Sequence, residues 1–191
     1  MNSRDRIAEA ACAVVQDAGI ADLTIADVGR KAGVSSALVH YHFNTKQDLL
    51  AAVSGRLAAR RTEGRVAALS GASGLAALDA LWAALSAGPG SEAEYAWNDL
   101  ALLARRDATV RRTLAAQRRL ERATFAQSLP RLFSDLGTVP TASWGETAAT
   151  VVLFLDGVAL ALAEGGTADE VRAAYDAFWL VLVAAGQARE R

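Results

Sequence analysis

The chain has 191 residues, of which 52% are hydrophobic, and its formal net charge is −1. This apolar content can fill a substantial core, whereas a charge so close to zero does not by itself indicate a nucleic-acid partner. The single cysteine, Cys12, excludes an intramolecular disulfide and is typical of a reducing compartment. Three prolines and frequent alanine, leucine and arginine favour an all-α fold.

No segment predicts export or membrane insertion. The N-terminal sequence MNSRDRIAEA is charged and lacks the apolar stretch of a signal peptide. The longest apolar run, 148–163, contains Asp156 and falls short of the ~20 residues that span a bilayer. We therefore expect a cytoplasmic protein without a membrane partner.

Four helices are predicted in the N-terminal part, because residues that cap helices alternate with apolar stripes. Thr24 can cap a short helix that ends at Gly33, where the chain needs a left-handed residue. Ser35 can cap the next helix, and Thr45 the one after it. The predicted helices cover about 3–18, 25–32, 36–43 and 46–69.

The segment 24–43 has the punctuation of a helix-turn-helix motif, in which two short helices flank a tight turn. The second helix of such a motif can lie in the major groove of DNA. Its side chains suit phosphates and base edges, since they are polar or aromatic: Ser35, Ser36, His40, Tyr41 and His42.

These residues resemble the TetR family of transcriptional regulators over about the first fifty to sixty positions. Gly29, Ala37-Leu38 and His40 depart from the family's usual Ala, Gly-Thr and Tyr. The resemblance rests on Arg6, Ile7, Ala10, Gly19, Leu23, Thr24, Ala32, Gly33, Val34, Ser35, His42, Phe43, Lys46, Leu49 and Leu50.

The resemblance implies about nine helices, arranged as a three-helix helix-turn-helix head and a C-terminal helical bundle for ligand binding and dimerisation. It divides the chain into a DNA-binding domain at 1–60 and a ligand-binding and dimerisation domain at 61–191. The implied DNA contacts are Thr24, Ser35, Ser36, Ala37, His40, Tyr41, His42 and Lys46.

Five further helices are predicted at about 75–87, 91–105, 108–136, 143–164 and 167–187. The helix at 143–164 is apolar nearly all round and the helix at 167–187 has a broad apolar face, so each must pack against more than one neighbouring helix. A hairpin of two such helices can pair with its twin in a four-helix bundle, as the resemblance implies, although an ordinary monomer core is the alternative. The candidate interface residues are Phe154, Val171, Tyr175, Phe178, Val181 and Leu182.

Arginines at seven positions from Arg105 to Arg122 form the strongest charge feature, and five of them fall within about 120° of a helical wheel. A solvated helix face, an anionic ligand and the acidic body of another subunit are the interpretations left open.

The resemblance implies a small-molecule effector in the C-terminal body, and we expect it to be mostly apolar. Aromatic residues at helical spacing more often fill a core, which is the alternative for several candidates. Asp156 interrupts an apolar run and therefore needs a partner, an interface edge or a wet cavity. The candidates are Trp82, Trp97, Asn98, Phe125 and Asp156.

Catalytic and metal-binding interpretations have little support. His40 and His42 diverge on a helix at a spacing of two, and the only cysteine is distant in sequence. The chain contains no phosphate-binding glycine loop and no GxSxG or HExxH motif. We expect neither a metal nor a cofactor, and we do not expect an enzyme.

The leading hypothesis is a dimeric, ligand-responsive DNA-binding regulator, a repressor that a small molecule releases from a pseudo-palindromic operator. The alternative is a small-molecule-binding helical protein, or an enzyme using the same cavity, whose head no longer reads DNA. Retention of Thr24, Ser35, Tyr41 and Lys46 favours the first.

Overall fold

The structure is a computed structural model that describes residues 2–86 and 91–188. Within these ranges the chain forms nine helices and one pair of two-residue strands, which confirms the all-α class. The elements are α1 Ser3–Ala18, α2 Ile25–Ala32, α3 Ser36–His42, α4 Lys46–Ser70, α5 Gly74–Ser86, α6 Ser91–Ala104, α7 Ala108–Asp135, β1 Thr138–Val139, α8 Trp144–Ala163, α9 Ala168–Ala184 and β2 Gln187–Ala188.

The chain divides into two compact units. Unit 1 contains residues 1–60 and 92–117, and unit 2 contains residues 61–91 and 118–191. Helix α4 contributes its first part to unit 1 and its second part to unit 2, and α7 is shared in the same way. Residues 92–117 thus pack with the head, whereas the division drawn from the sequence assigned them to the C-terminal domain.

Unit 1 has a continuous apolar core built around α1. Helices α1 to α4 supply most of it, and α6 and the start of α7 add Trp97, Leu100 and Val110. Trp97 is only 5% exposed, so this indole fills the core of unit 1. Helix α6 and the start of α7 are distant in sequence from the head that they pack against. The apolar periodicity of a segment indicates its buried face but not its partner, so this packing could not be predicted.

The helix starts predicted in the head follow the expected hydrogen bonds. Thr24 Oγ1 accepts from the Asp27 N–H at 3.1 Å, and Ser35 Oγ accepts from the Leu38 N–H at 3.3 Å. Each hydroxyl satisfies a backbone donor that would otherwise lack a partner in the first helical turn. Gly33 ends α2 in the left-handed region with φ 65°, as its position predicted.

Unit 2 has a second apolar core, formed by α5, the later part of α7, α8, α9 and the end of α4. Phe125, Phe133 and Tyr175 are fully buried in it. Tyr175 donates from its hydroxyl to the Leu78 carbonyl at 2.8 Å, so the polar tip of this buried ring is satisfied. The two cores explain how one chain builds two separately packed bodies.

The segments after α7 and α9 differ from the prediction. Two short strands pair where the sequence predicted the loop after α7 and the last turn of a helix that ends at Gln187. Thr138–Val139 pairs antiparallel with Gln187–Ala188, and Thr138 Oγ1 donates to the Gln187 carbonyl at 3.1 Å. Helix α9 therefore ends at Ala184. The glycine–proline segment 88–90 between α5 and α6 lies outside the described residues.

Helix α8 is the one helix among the described residues that is long and apolar enough to cross a membrane. Its 20 residues exceed the apolar run read from the sequence, because Trp144 and its neighbours extend the helix toward the N-terminus. About 39% of its most apolar window is buried against the rest of the protein. Length and composition alone are therefore weak support for a membrane span.

Candidate nucleic-acid interface and effector region

Helix α3 is held in unit 1 by one face and leaves the opposite face open. Val39 is fully buried and Leu38 is half-buried against the core. On the other side Ser36 and His40 are exposed, and Tyr41 is 80% exposed. The open face of this helix therefore carries hydrogen-bonding groups and an aromatic ring that the core does not need.

Seven of the eight candidate DNA contacts are exposed, and the remaining one, His42, is half-buried. His42 packs edge-on against Tyr41, with ring centroids 5.2 Å apart. Thr24 and Ser35 already accept backbone hydrogen bonds as helix caps. Each hydroxyl is therefore held at the N-terminus of its helix, and a phosphate that binds that N-terminus would lie close to it.

Lys46 stands exposed at the first position of α4, beside a well-formed helix start. The Thr45 N–H donates to Asp48 Oδ2 at 3.1 Å, and the Asp48 N–H donates to Thr45 Oγ1 at 3.0 Å. This reciprocal pair holds the first turn rigid. The ammonium of Lys46 is thus placed where the positive end of the helix dipole also attracts an anion.

A second exposed helix start, that of α2, carries a carboxylate. The Thr24 hydroxyl donates to Asp27 Oδ2 at 2.5 Å, and Arg30 lies 2.7 Å from Asp27 Oδ1. The Thr24 hydroxyl first, and then Arg30, hold the pKa of Asp27 below its ordinary value. Asp27 is therefore ionised near neutral pH and stabilises the start of α2.

A polar concavity of about 510 Å³ adjoins the end of α3 in unit 1. His42 and Asn44 line it together with Arg4 and Arg56. The Arg4 guanidinium lies 4.9 Å above the ring centroid of Phe43. Arg4 was not among the residues predicted from sequence, because its nearness to α3 depends on how α1 packs.

The five effector candidates do not share one unit. Trp97 and Asn98 belong to unit 1, whereas Trp82, Phe125 and Asp156 belong to unit 2. Phe125 is fully buried and Trp97 nearly so, which matches the alternative of ordinary core residues. Both side chains pack in a core, and a role for them in effector binding stays a prediction.

Asp156 belongs to a buried ionic cluster that sequence analysis missed. Arg61 donates to Asp156 at 2.7 Å and to Glu121 at 2.9 Å, and Arg65 lies 3.1 Å from Glu121. Arg118 also pairs with Asp156. Arg61, Arg65 and Glu121 are each 2% exposed. Removing one partner of such a buried pair typically costs about 3–5 kcal/mol.

The cluster joins the second part of α4 to α7 and α8 within unit 2, since its arginines and carboxylates come from these three helices. The cluster also includes one arginine of the basic face of α7. Arg118 turns onto a carboxylate, while Arg112 and Arg119 are exposed. No signal in one helix could have revealed this, because Asp156 is 38 residues from Arg118 and 95 residues from Arg61 in the chain.

The candidate dimer residues separate into buried and open positions. Val171 and Tyr175 are 8% and 0% exposed, so they belong to the core of unit 2, and their part in a dimer interface stays a prediction. Phe154 and Phe178 are half-buried and stack on each other at 3.7 Å. Leu182 is half-buried, and Val181 is 66% exposed.

Two helices of unit 2 carry exposed apolar stripes at spacings of three and four. On α8 the stripe contains Leu153 and Leu160, 57% and 44% exposed, with Gly157 between them. On α9 it contains Ala174, Ala177 and Val181. We call these two stripes the hairpin face, and exposed apolar surface of this kind is typical of a protein interface.

The described part of the chain offers neither a reactive cysteine nor a cluster of metal-binding side chains. Cys12 is fully buried in unit 1, and burial raises the pKa of its thiol to about 11. A thiol with so high a pKa is a poor nucleophile at neutral pH. Among the described residues no group of three His, Cys, Asp or Glu side chains is placed to hold a metal ion.

Comparison with known proteins assigns the head to a family. The family model for bacterial regulatory proteins of the tetR family matches residues 7–53. The regulator BetI of Rhizobium meliloti is 36% identical over 69 residues, which are 36% of this chain and 34% of BetI. SrpR of Pseudomonas putida is 43% identical over 51 residues, 27% of this chain and 24% of SrpR. Both are HTH-type transcriptional regulators, and the match spans about a third of their length or less.

Solved structures extend the likeness of fold to nearly the whole chain. A TetR transcription regulator from Haloarcula marismortui has a TM-score of 0.73 at 20% identity, covering 97% of this chain and 98% of that one. A transcriptional regulator from Rhodococcus sp. Rha1 has a TM-score of 0.76 at 19% identity, covering 99% and 100%. The matched head, the curated relatives and this shared fold all support a transcriptional regulator of the TetR family.

Proposed function

We propose that this chain is a dimeric, ligand-responsive repressor that binds a pseudo-palindromic operator through α3 and is released by a small molecule. The observation that carries the proposal is the open face of α3, where Ser36, His40 and Tyr41 are exposed while Val39 anchors the helix. A recognition helix needs this arrangement, because its base-reading side chains must leave the protein core. The proposal includes a cytoplasmic location, because operator DNA lies in the cytoplasm.

The hairpin face supports dimerisation. Leu153 and Leu160 on α8 are 57% and 44% exposed, and burying them removes apolar surface from water, which is favourable. The same face of a second copy can cover them. Small residues on α9, such as Ala174 and Ala177, permit close approach of a partner helix. Two heads in one dimer then fit two half-sites one DNA turn apart.

Helix α4 is the proposed link between effector and DNA. Its first part belongs to unit 1 and its second part is fixed in unit 2 by Arg61 and Arg65. A ligand that rearranges unit 2 therefore acts on the helix that begins at Lys46. Trp82 and Asp156 remain the effector candidates in unit 2, since both are partly exposed. A protein of this fold from Saccharomonospora viridis was solved in complex with choline, so the fold can hold a small molecule.

The direct test is a DNA-binding measurement on the intact protein. DNA from upstream of its own gene is compared with shuffled DNA of the same length and composition, by electrophoretic shift at low and physiological salt. We expect a specific affinity at least about 10³-fold above the non-specific one. A folded protein that prefers neither DNA at any salt concentration contradicts the proposal.

The second candidate function is a ligand-binding helical protein, or an enzyme, with a head that does not read DNA. Its distinguishing result is a tight ligand for unit 2 together with only weak, non-specific DNA binding. The family membership of the head favours the regulator, because the relatives that match it are transcriptional regulators.

A further inference from the structure

One groove on unit 2 combines an apolar lining with an acidic rim. It has a volume of about 410 Å³ and is formed by α5, α9 and Leu136, the residue that follows α7. Small-molecule sites are concave and mainly apolar with a few polar groups, and their volumes begin at about 300 Å³. Leu75 and Leu180 stand at the groove with 71% of each side chain exposed. The apolar lining comprises Leu75, Leu78, Leu136, Leu180 and Val183.

The charged side chains of the groove leave it with an excess of negative charge. Asp79, Arg172 and Asp176 all line it. Arg172 Nη2 lies 2.5 Å from Asp79 Oδ1, and Arg172 Nε lies 2.8 Å from Asp176 Oδ1. Two carboxylates thus face one guanidinium. An added cation is attracted by this balance, whereas an added anion meets two like charges.

The same end of the groove already holds a positive group against aromatic rings. The Arg172 guanidinium lies 5.5 Å from the ring centroid of Trp82 and 5.6 Å from that of Tyr175. Aromatic faces attract cations at distances up to about 6 Å. Trp179, which packs edge-on against Tyr175, lines the groove itself. The protein's own arginine therefore occupies a place suited to positive charge.

We propose that this groove binds a small amphipathic cation. The apolar part lies along Leu180 and its neighbours, and the cationic head binds between Asp79 and Asp176 in competition with Arg172. The site adds a ligand to the DNA-binding role and does not depend on that role, because binding is measured on the protein without DNA.

The first measurement compares three probes of equal chain length by calorimetry on the intact protein. Octyltrimethylammonium is the cation, octanesulfonate the anion, and octyl glucoside the neutral compound, each below its micelle concentration. We expect the cation to bind at least about fivefold more tightly than either other probe, since it alone adds a charge pair to the shared apolar contact. Raising the salt concentration weakens only this advantage.

Three variants give effects of different sign. The double change Asp79→Asn and Asp176→Asn weakens cation binding about three- to tenfold, because it removes both partners of the head group. Arg172→Gln removes the internal competitor and tightens cation binding about threefold or more. Leu180→Ser weakens binding of all three probes. This residue is exposed, so its variant keeps the test valid where Arg172→Gln unfolds the protein.

Asp169→Asn is the matched control, because it removes an exposed carboxylate of α9 that does not line the groove. Its cation affinity stays that of the unmodified protein. Tighter binding of octanesulfonate, lost in Arg172→Gln, overturns the proposal in favour of an anion site. Equal binding of all probes with no effect of the carboxylates, or no binding because a second copy covers the groove, also overturns it.

Discussion

At the scale of single residues, helix α3 separates side chains that pack in the core from side chains that are exposed to solvent. Val39 is fully buried while Tyr41, two positions later, is 80% exposed. Residues two apart on a helix point in different directions, so one serves the core and the other the solvent. This division makes DNA binding and stability independently measurable at neighbouring positions.

Tyr41→Ala should weaken operator binding and leave the melting temperature unchanged. Little apolar surface is lost to the core, because the ring is mostly in water in the free protein. Fluorescence anisotropy with labelled operator measures the affinity, and differential scanning calorimetry measures the melting temperature. Leu120→Ala, at an exposed leucine of α7, is the control and keeps full affinity. A large fall in melting temperature for Tyr41→Ala would show that this ring belongs to the core.

Lys46→Ala should weaken binding to operator and random DNA by a similar factor, because a phosphate contact carries no sequence information. The slope of log affinity against log salt concentration should fall by about one unit. Titrations at several salt concentrations measure both effects. Arg119→Ala removes one exposed charge from unit 2 and leaves the slope as it was. Loss of sequence preference at an unchanged slope contradicts a phosphate role.

At the scale of helices, local signals predicted the start points well. Thr24, Ser35 and Thr45 cap helices with the predicted hydrogen bonds, and Ser143 forms a complete capping box with Glu146. These signals involve residues three positions apart, so sequence alone contains them. The unit that a helix joins depends on distant partners, which is why the packing of α6 in unit 1 was not predicted.

The buried ionic cluster and the hairpin face mark the same limit of prediction at the candidate sites. Asp156 could be recognised as a residue needing a partner, but Arg61 and Arg118 could not be named as its partners. Likewise, the broad apolar face of α9 did not reveal which part meets α8 and which part stays open. Tyr175 is in the core and Val181 is exposed, although both lie on the predicted face.

Replacing either of two glycines by alanine should change the free energy of unfolding, but in opposite directions. Gly33 has φ 65°, a conformation that costs a residue with a Cβ roughly 1–2 kcal/mol, so Gly33→Ala destabilises the protein by about this amount. Gly64 lies exposed within α4, and a Cβ there meets no atom within 4 Å. Gly64→Ala therefore stabilises by about 0.5–1 kcal/mol. Urea denaturation of each variant checks the two signs, and a shift in the same direction for both contradicts this explanation.

At the scale of the whole molecule, the proposed function requires two chains to associate. Val181→Glu should give a folded monomer, because this side chain is 66% exposed in one chain but would place an unpaired charge inside the proposed interface. Sedimentation velocity measures the state of association. Leu102→Glu, at a residue of α6 that is 64% exposed, is the control and remains dimeric.

The monomer should also lose most operator affinity, by roughly 10²- to 10⁴-fold, since the second head no longer binds at a high effective concentration. Anisotropy titration of Val181→Glu with a full operator and with a single half-site separates this effect from damage to the head. Equal half-site affinity in variant and unmodified protein is the expected result. A Val181→Glu protein that stays dimeric and binds the full operator normally places the interface elsewhere.

The two functional regions should be coupled through one conformational equilibrium, which tryptophan fluorescence can follow. Trp82, Trp144 and Trp179 belong to unit 2, whereas Trp97 lies in the core of unit 1. Trp97→Phe therefore leaves indoles in unit 2 alone, and a ligand that binds there should change their emission. The change in this variant reports binding to unit 2 without a contribution from the head.

Each ligand found in this way should then be titrated against the operator complex. If it is the effector, it weakens operator binding by some factor, typically about 5–150-fold, and the operator weakens ligand binding by the same factor. Unequal factors at equilibrium would mean that ligand and DNA act on different populations of the protein. A ligand that changes the emission yet leaves operator affinity unaltered binds without controlling the head. If every tight ligand behaves so, release of this chain from DNA by a small molecule is excluded, and α4 does not carry the signal.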